Sequence, residues 1–329
     1  MARDRIAGRA LVLGGAGFLG SHVLEALLED GYIVRVFDRP RNRSGVSSAA
    51  GVEFCEGDFG NRGDLAAALD GCQSAFHLVA TTLPKTSNDD PVHDLETNLV
   101  ATVRFLDLAR QHRLKKITFA SSGGTVYGVP TRVPIPEHHE TRPVCSYGIH
   151  KLAIEQYLHL FHHLHDLDYC VLRVSNAFGE RQRPTVSQGV VAAFLDKALR
   201  GEEIVIWGDG SVVRDYVYAK DVARAFCLAA RHSGAPRIFN IGSGRGVSVN
   251  ELISSIEALL GRSVERRYLP GRPFDVSVNV LDTSLAADHL NWRPQHTFRD
   301  GLRQTLEWLQ VARRLESASP AALLTHLPD

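Results

Sequence analysis

The chain has 329 residues, 37 basic and 37 acidic, so its formal net charge is zero with 22% of residues charged. That balance argues against nucleic acid as a general partner, and no apolar run is long enough to cross a bilayer. The five cysteines (Cys55, Cys72, Cys145, Cys170, Cys227) are odd in number and lack metal-ligand spacing, which suits reduced thiols.

In chain order, short apolar β-rich runs alternate with helical patterns. Residues 10–13, 33–37, 52–55, 75–79, 117–120 and 170–174 read as buried parallel strands. Residues 21–29, 64–69, 95–111 and 147–165 read as the helices between them. Repeated strand–helix alternation predicts an α/β fold: a doubly wound parallel sheet with right-handed crossovers. Residues 129–143, rich in Pro, His and Glu, read as a loop just before the last of these helices. The second half is less regular. Residues 189–199 and 222–230 read as helices, 204–207 and 238–241 as strands, and 250–260 as a helix entered through Ser248 and Glu251. A smaller mixed α/β unit packed on the first is expected, and residues after about 315 are expected to be weakly structured. The beginning of the sequence enters a strand pattern without a signal-peptide layout, so a cytoplasmic protein is expected.

Gly14, Gly17 and Gly20 form a Gly-x-x-Gly-x-x-Gly series between the first strand and the first helix, a cradle for pyrophosphate at a helix N-terminus. Phe18 and Leu19 lie within it. The alternative is a Gly-rich turn with no ligand. About twenty residues on, the second strand ends at Asp38, where a carboxylate accepts hydrogen bonds from a ribose and repels a 2′-phosphate; this favours NAD. Arg39, Arg41 and Arg43 would suit NADP if Asp38 turned away. Asp58, followed by Phe59, falls where an adenine would sit, or caps the next helix.

Tyr147 and Lys151 are four apart and share a helix face. An ammonium near a phenol favours the phenolate, so the pair is expected to make a general base with a lowered tyrosine pKa. The plain alternative is a surface Tyr and Lys. Upstream, Ser121, Ser122 and Thr125 follow a predicted parallel strand, at the end where ligand crevices form. His159, His162, His163 and His165 gather on one helix, but nothing completes a zinc set, so no metal is expected.

These motifs carry a resemblance. Residues 14–20 (GGAGFLG), 121–128 (SSGGTVYG), 146–151 (SYGIHK), 172–176 (LRVSN), 214–218 (RDYVY) and 272–275 (RPFD) occur in one order over nearly the whole chain. The chain resembles the extended short-chain dehydrogenase/reductase superfamily, in its NAD-dependent nucleotide-sugar epimerase/dehydratase family, and within it the UDP-glucose 4-epimerase group. The resemblance implies a Rossmann-like NAD-binding unit over residues 1–175. It implies a mainly nucleotide-sugar-binding unit over 176–329, with a segment near 215–245 returning to the first. By the same resemblance Leu78, Val79, Ala80, Asn98 and Ser121 line the cofactor, together with Tyr147 and Lys151. Asn176, Arg214 and Arg272 hold the diphosphate, Trp207 lies beside the base, and Val190, Val205, Asp275 and Asn279 complete the substrate site. Asn279 stands where a bulkier residue in some members excludes 2-acetamido sugars, so such sugars are expected to be accepted.

One departure stands out. The family's catalytic Ser or Thr usually occupies the position of Gly123, so its role passes to Ser122, Thr125 or water. Gly124 and Thr125 also replace the Asp-Glu pair of resembling dehydratases and the Glu of decarboxylases. The implied reaction is inversion of C4 of a UDP-hexose through a transient 4-keto sugar. Tyr147 takes the proton of the 4-hydroxyl as hydride leaves C4, and returns it after the sugar turns. The resemblance further implies a homodimer. Two other readings stay open: a net nucleotide-sugar dehydrogenase or reductase, and a non-catalytic dinucleotide sensor on the same fold.

Overall fold

A computed structural model describes residues 8–40, 42, 50–184, 189–271 and 276–318, the last three of these by backbone alone. Its centre is a seven-stranded sheet in the order β10-β6-β5-β4-β1-β2-β3, with every neighbouring pair parallel. In chain order these are β1 (Arg9–Leu13), β2 (Ile33–Asp38), β3 (Val52–Glu56), β4 (Ser74–His77), β5 (Lys116–Ser122), β6 (Asp168–Val174) and β10 (Ile238–Ile241).

The strands are apolar on both faces, as a doubly covered parallel sheet requires. On β1, Ala10 and Val12 face one core while Leu11 and Leu13 face the other. The first core is covered by α1 (Phe18–Glu29) and α7 (Ala219–Arg231), through Val23, Leu27, Val222 and Phe226. The second is covered by α2 (Arg62–Leu69), α4 (Ala101–Gln111) and α5 (Ser146–His165), through Leu65, Phe105, Leu106, Ile154 and Leu158. The architecture is the expected α/β doubly wound, Rossmann-like one.

The helix expected over residues 95–111 starts differently. A short helix α3 (Pro91–Asp94) runs into a π-helical stretch, Leu95–Val100, before α4 begins. A π turn shifts the side-chain period only slightly, so the apolar pattern reads as one helix.

The remaining elements form a mixed layer. β9 (Val213–Tyr218) pairs antiparallel with β11 (Gly246–Ser248) and parallel with β13 (Val278–Asn279) and β7 (Asn176–Phe178). β8 (Ile204–Trp207) and β12 (Arg266–Leu269) make a separate parallel pair. A third core joins α6 (Val190–Arg200), α8 (Val249–Leu260) and α10 (Phe298–Ala318) through Leu195, Ile253, Ile256, Leu302 and Leu306. α8 starts where Ser248 and Glu251 predict, with a reciprocal capping box. α9 (Ser284–Leu290) lies against the first core, and α10 continues to Ala318, past the point where order was expected to end.

The C-terminal ends of β1, β4, β5 and β6 converge on a crevice that β7, β9 and α6 close from the other side. Open α/β sheets bind ligands at this edge.

Candidate active site

A cavity of about 440 Å³ occupies the crevice, and a second of about 260 Å³ shares Gly14, Gly17, Leu78 and Ala80 with it. Gly14, Gly17, Phe18, Leu19 and Gly20 form the floor of the larger cavity. A Cβ on Gly20 would lie 2.1 Å from the Gly14 carbonyl oxygen, so the turn closes this tightly only with glycine there. α1 has no side-chain cap, which leaves its first N–H groups facing the cavity end.

The smaller cavity holds the adenosine-side candidates Asp38, Arg39, Phe59 and Val79, with Asn42 and Gly57. The Asp38 carboxylate accepts hydrogen bonds from Ala16 N (3.0 Å), Arg39 N (2.8 Å) and Asn42 Nδ2 (2.7 Å). It is held facing the glycine turn, not turned away. Asp58 is not in this wall. It accepts from Gly60 N at 2.7 Å and lies 3.9 Å from the Arg39 guanidinium, while Asn61 caps α2. Arg41 and Arg43 lie outside the described residues.

α5 brings Tyr147 and Lys151 into the larger cavity, where Ser121, Ser122 and Thr125 follow from β5. Lys151 donates to the Ala120 carbonyl at 2.9 Å, and its nitrogen lies 5.5 Å from the centre of the Tyr147 ring. The Ser121 hydroxyl donates to Glu155, which Arg173 grips with two nitrogens. Of these three candidates, Ser121 is thus engaged within the protein, unlike Ser122 and Thr125.

The expected lowering of the Tyr147 pKa by Lys151 is not found in the chain itself. Burial pushes the phenol up, and the Cys145 thiol and the Asp94 carboxylate add to the rise. Burial pushes the Lys151 ammonium down, to about 7, against the opposing pull of Asp94 and Glu155. The ammonium is engaged with a carbonyl, and the dry surroundings dominate.

Of the substrate-side candidates, Asn176 and Val190 line the larger cavity. Asn176 Nδ2 donates to the Asp215 carbonyl at 3.1 Å. Among the described residues, Val205, Trp207, Arg214 and Asn279 do not line it. Trp207 is 44% exposed at the end of β8. Arg214 donates to the carbonyls of Val213 and Val276, at 2.9 and 2.6 Å. Asn279 is 2% exposed and donates to the Gly123 carbonyl at 3.2 Å, a packing place instead of a pocket wall. The expectation about 2-acetamido sugars rested on Asn279 facing the sugar and loses that footing. Asn98 is also buried outside the cavities; its amide joins Thr81, Thr82 and Asp94, bracing the segment that lines them. Arg272 and Asp275 lie outside the described residues.

The wall also contains residues the sequence reading passed over: Pro84, Ser175, Phe178, Gln182, Gly189 and Tyr216. Ser175 adjoins Asn176, which was a usable signal. Tyr216 lies on β9 within the motif 214–218, whose candidate residue, Arg214, does not line the cavity.

The family model of the NAD dependent epimerase/dehydratase family matches residues 10–242. This chain belongs to that family. A UDP-glucose 4-epimerase of Mycolicibacterium smegmatis is 36% identical over 92% of this chain and 98% of the relative. The UDP-glucose 4-epimerase of Thermotoga maritima, solved with UDP-glucose, superposes with a TM-score of 0.87 at 37% identity, over 93% of this chain and 99% of that one. The Thermus thermophilus UDP-glucose 4-epimerase, solved with NAD, gives 0.86 at 35% identity, over 92% and 99%.

The residues present fit the family's dinucleotide. The glycine turn packs its own backbone too closely for a Cβ at position 20, which leaves bare backbone lining the larger cavity, and Asp38 lines the smaller one beside it. Beyond it, three polar atoms in the larger cavity's wall are buried without a hydrogen-bond partner: Thr125 Oγ1, Ser175 Oγ and Gln182 Oε1. Buried polar groups are ordinarily paired, so these unpaired atoms mark the wall where polar partners are wanting among the described residues. No cluster of metal-ligating side chains occurs among the described residues, and none of their helices is long and apolar enough to cross a membrane.

Proposed function

We propose that this chain is an NAD-dependent epimerase that inverts C4 of a UDP-hexose through a transient 4-keto sugar. The observation that carries the reading is that Tyr147 and Lys151 open into the same cavity as the glycine cradle. The UDP-glucose 4-epimerases among the relatives and solved structures support the substrate class.

Gly14, Gly17 and Gly20 would hold the pyrophosphate of NAD, and Asp38 its adenosine ribose. Bound there, NAD would supply a reversible hydride acceptor for C4 and, when oxidised, a positive charge that favours the phenolate. Tyr147 takes the proton of the sugar 4-hydroxyl and later gives it back. Lys151 stands near the phenol and fixes the strand end through Ala120. Ser122 and Thr125 orient the reacting hydroxyl in place of the side chain missing at Gly123. Asn176 and Val190 contribute to the diphosphate and uridine end. In this reading residues 1–175 mainly hold the dinucleotide and 176–329 mainly the nucleotide sugar, with residues near 215–245 rejoining the first unit.

The setting we propose is a cytoplasmic homodimer. Ile149, Leu160 and Leu164 stand out from α5 at 51%, 42% and 59% exposure, and Val100 stands out beside α4. A second copy would cover this apolar strip.

Incubation with UDP-glucose and with UDP-galactose, followed by separation of the products, tests the reading. Interconversion is expected without net change at the reduced-nicotinamide absorbance band. Stoichiometric nicotinamide reduction would instead mark a net dehydrogenase. Tyr147→Phe should keep NAD and lose nearly all turnover; unchanged turnover would refute the assignment.

A further inference from the structure

A buried carboxylate stands behind the helix that carries Tyr147. Asp94, the last residue of α3, is 0% exposed. Its Oδ1 accepts from the Thr82 hydroxyl and, at 3.2 Å, from the Asn98 amide. Its Oδ2 accepts from the Ser146 hydroxyl at 2.6 Å and from His150 Nδ1 at 2.9 Å. One carboxylate thus joins two elements. Thr82 continues the segment whose Leu78 and Ala80 line both cavities. Ser146 and His150 flank Tyr147 on α5.

The first turn of α5 depends on this junction. Its N-cap, Cys145, makes no side-chain cap bond. The orphan N–H groups of that turn are met from outside: Ser146 N donates to Asn88 Oδ1 at 2.9 Å, and Tyr147 N to Ser87 Oγ at 3.0 Å. The His150 ring stands edge-on to the Tyr147 ring with centroids 5.0 Å apart, which restricts how the phenol can swing. Its Nε2 is buried with no partner among the described residues, so the hydrogen bond to Asp94 is the ring's anchor there.

All four contacts are donations into the carboxylate, which an amide with a single acceptor oxygen could not take in the same way. The retained charge acts on its neighbours. Asp94 and Cys145 both oppose ionisation of Tyr147. Asp94 and Glu155 favour the Lys151 ammonium against burial. His150 stays neutral because burial and Lys151 outweigh the pull of Asp94. His77, on β4, is held neutral by burial, Lys151 and His150.

We propose that Asp94 is a positioning residue for proton transfer at Tyr147: through Ser146 and His150 it fixes the phenol-bearing turn against the segment that lines the cofactor cavity. The inference rests on the reading of Tyr147 given above. Misplacement of about 1 Å costs on the order of 100-fold in rate, and Asp94→Ala should lower kcat by that order while KM and bound NAD hold. Asp94→Asn keeps the size and removes the charge. It should move the acid limb of the kcat–pH profile to lower pH, since a carboxylate that opposes the phenolate is gone. His150→Ala should lower kcat as well, and His150→Asn, whose amide can donate in place of Nδ1, should recover most of that loss.

The measurement is kcat, KM, bound NAD and the pH profile for UDP-glucose and UDP-galactose interconversion by wild type, the four variants and Tyr147→Phe. If the variants lose activity only in proportion to lost NAD or folded protein, with the acid limb unmoved, Asp94 is a structural tie alone and the inference falls. Wild-type kcat in Asp94→Ala, with Tyr147→Phe inactive, likewise overturns the inference and leaves the proposed function intact. Full activity in Tyr147→Phe overturns both.

Discussion

Leu281 fills the space that a side chain at position 123 would need. A Cβ built on Gly123 would lie 2.5 Å from Leu281 Cδ1 and 3.0 Å from the Arg173 carbonyl oxygen. Leu281 is fully buried against Val126, Tyr127 and Ile135, so it has nowhere to retreat. The position where the resembling family carries its Ser or Thr therefore faces packed protein here. Gly123→Ser should destabilise by about 1–3 kcal/mol through overpacking and leave kcat no higher. Thermal unfolding and steady-state rates check this; a gain in kcat would mean that the side chain reaches the substrate after all.

Thr125 offers the opposite trade. Its hydroxyl is buried and unpartnered in the ligand-free chain, so Thr125→Val, of nearly the same shape, should leave that state as stable or slightly more so. If the hydroxyl meets the sugar, kcat/KM should fall about tenfold, since a neutral hydrogen bond is worth ~1 kcal/mol or somewhat more. Urea unfolding read beside kcat/KM separates the two effects. Loss of stability with intact kcat/KM would assign the hydroxyl to the fold.

Lys151 predicts a pH slope in stability. Its folded pKa of about 7 lies below the ordinary value of 10.5. Between those values the unfolded chain binds more protons than the folded one, so the NAD-free protein should gain stability as pH rises through that window. Lys151→Met should flatten the slope. Denaturant midpoints of the NAD-free protein at pH 7, 8 and 9 test it; equal slopes in both proteins would place the origin elsewhere.

Asp38 predicts a change of cofactor preference. Its carboxylate is pinned by Ala16, Arg39 and Asn42 in the smaller cavity, and Arg39 lines the same cavity. Asp38→Ser removes the charge that repels a 2′-phosphate and leaves the guanidinium. The ratio of NAD to NADP affinity should fall about tenfold, or ~1.4 kcal/mol. Calorimetric titration with both dinucleotides measures it.

The central sheet and its glycine cradle were legible because they rest on local rules. Apolar runs of strand length, each followed by an amphipathic stretch, determine where β1 to β6 and their covering helices lie. The four-residue spacing of Tyr147 and Lys151 needs only a helix to bring both to one side. What escaped depends on pairing between distant segments. β9 reaches its partners β7, β11 and β13 across long stretches of chain, so the motif 214–218 marks Tyr216 without showing that it faces the cavity. Arg214 sits in that motif and Asn279 was assigned by the resemblance alone, yet both donate to backbone carbonyls, and Asn279 is buried. The phenol's environment was misjudged for a similar reason. Spacing reveals a neighbouring ammonium, whereas desolvation is a property of the assembled core.

β10 joins the sheet beside β6, and α7 shares the core under α1, although both come from beyond residue 218. A nascent chain halted at residue 175 would therefore leave β6 as a bare edge and the apolar side of α1 wet. Synthesis must run well past the halfway point before the first half can close. An early stop codon or a proteolytic nick there should yield aggregating fragments instead of a free-standing dinucleotide binder.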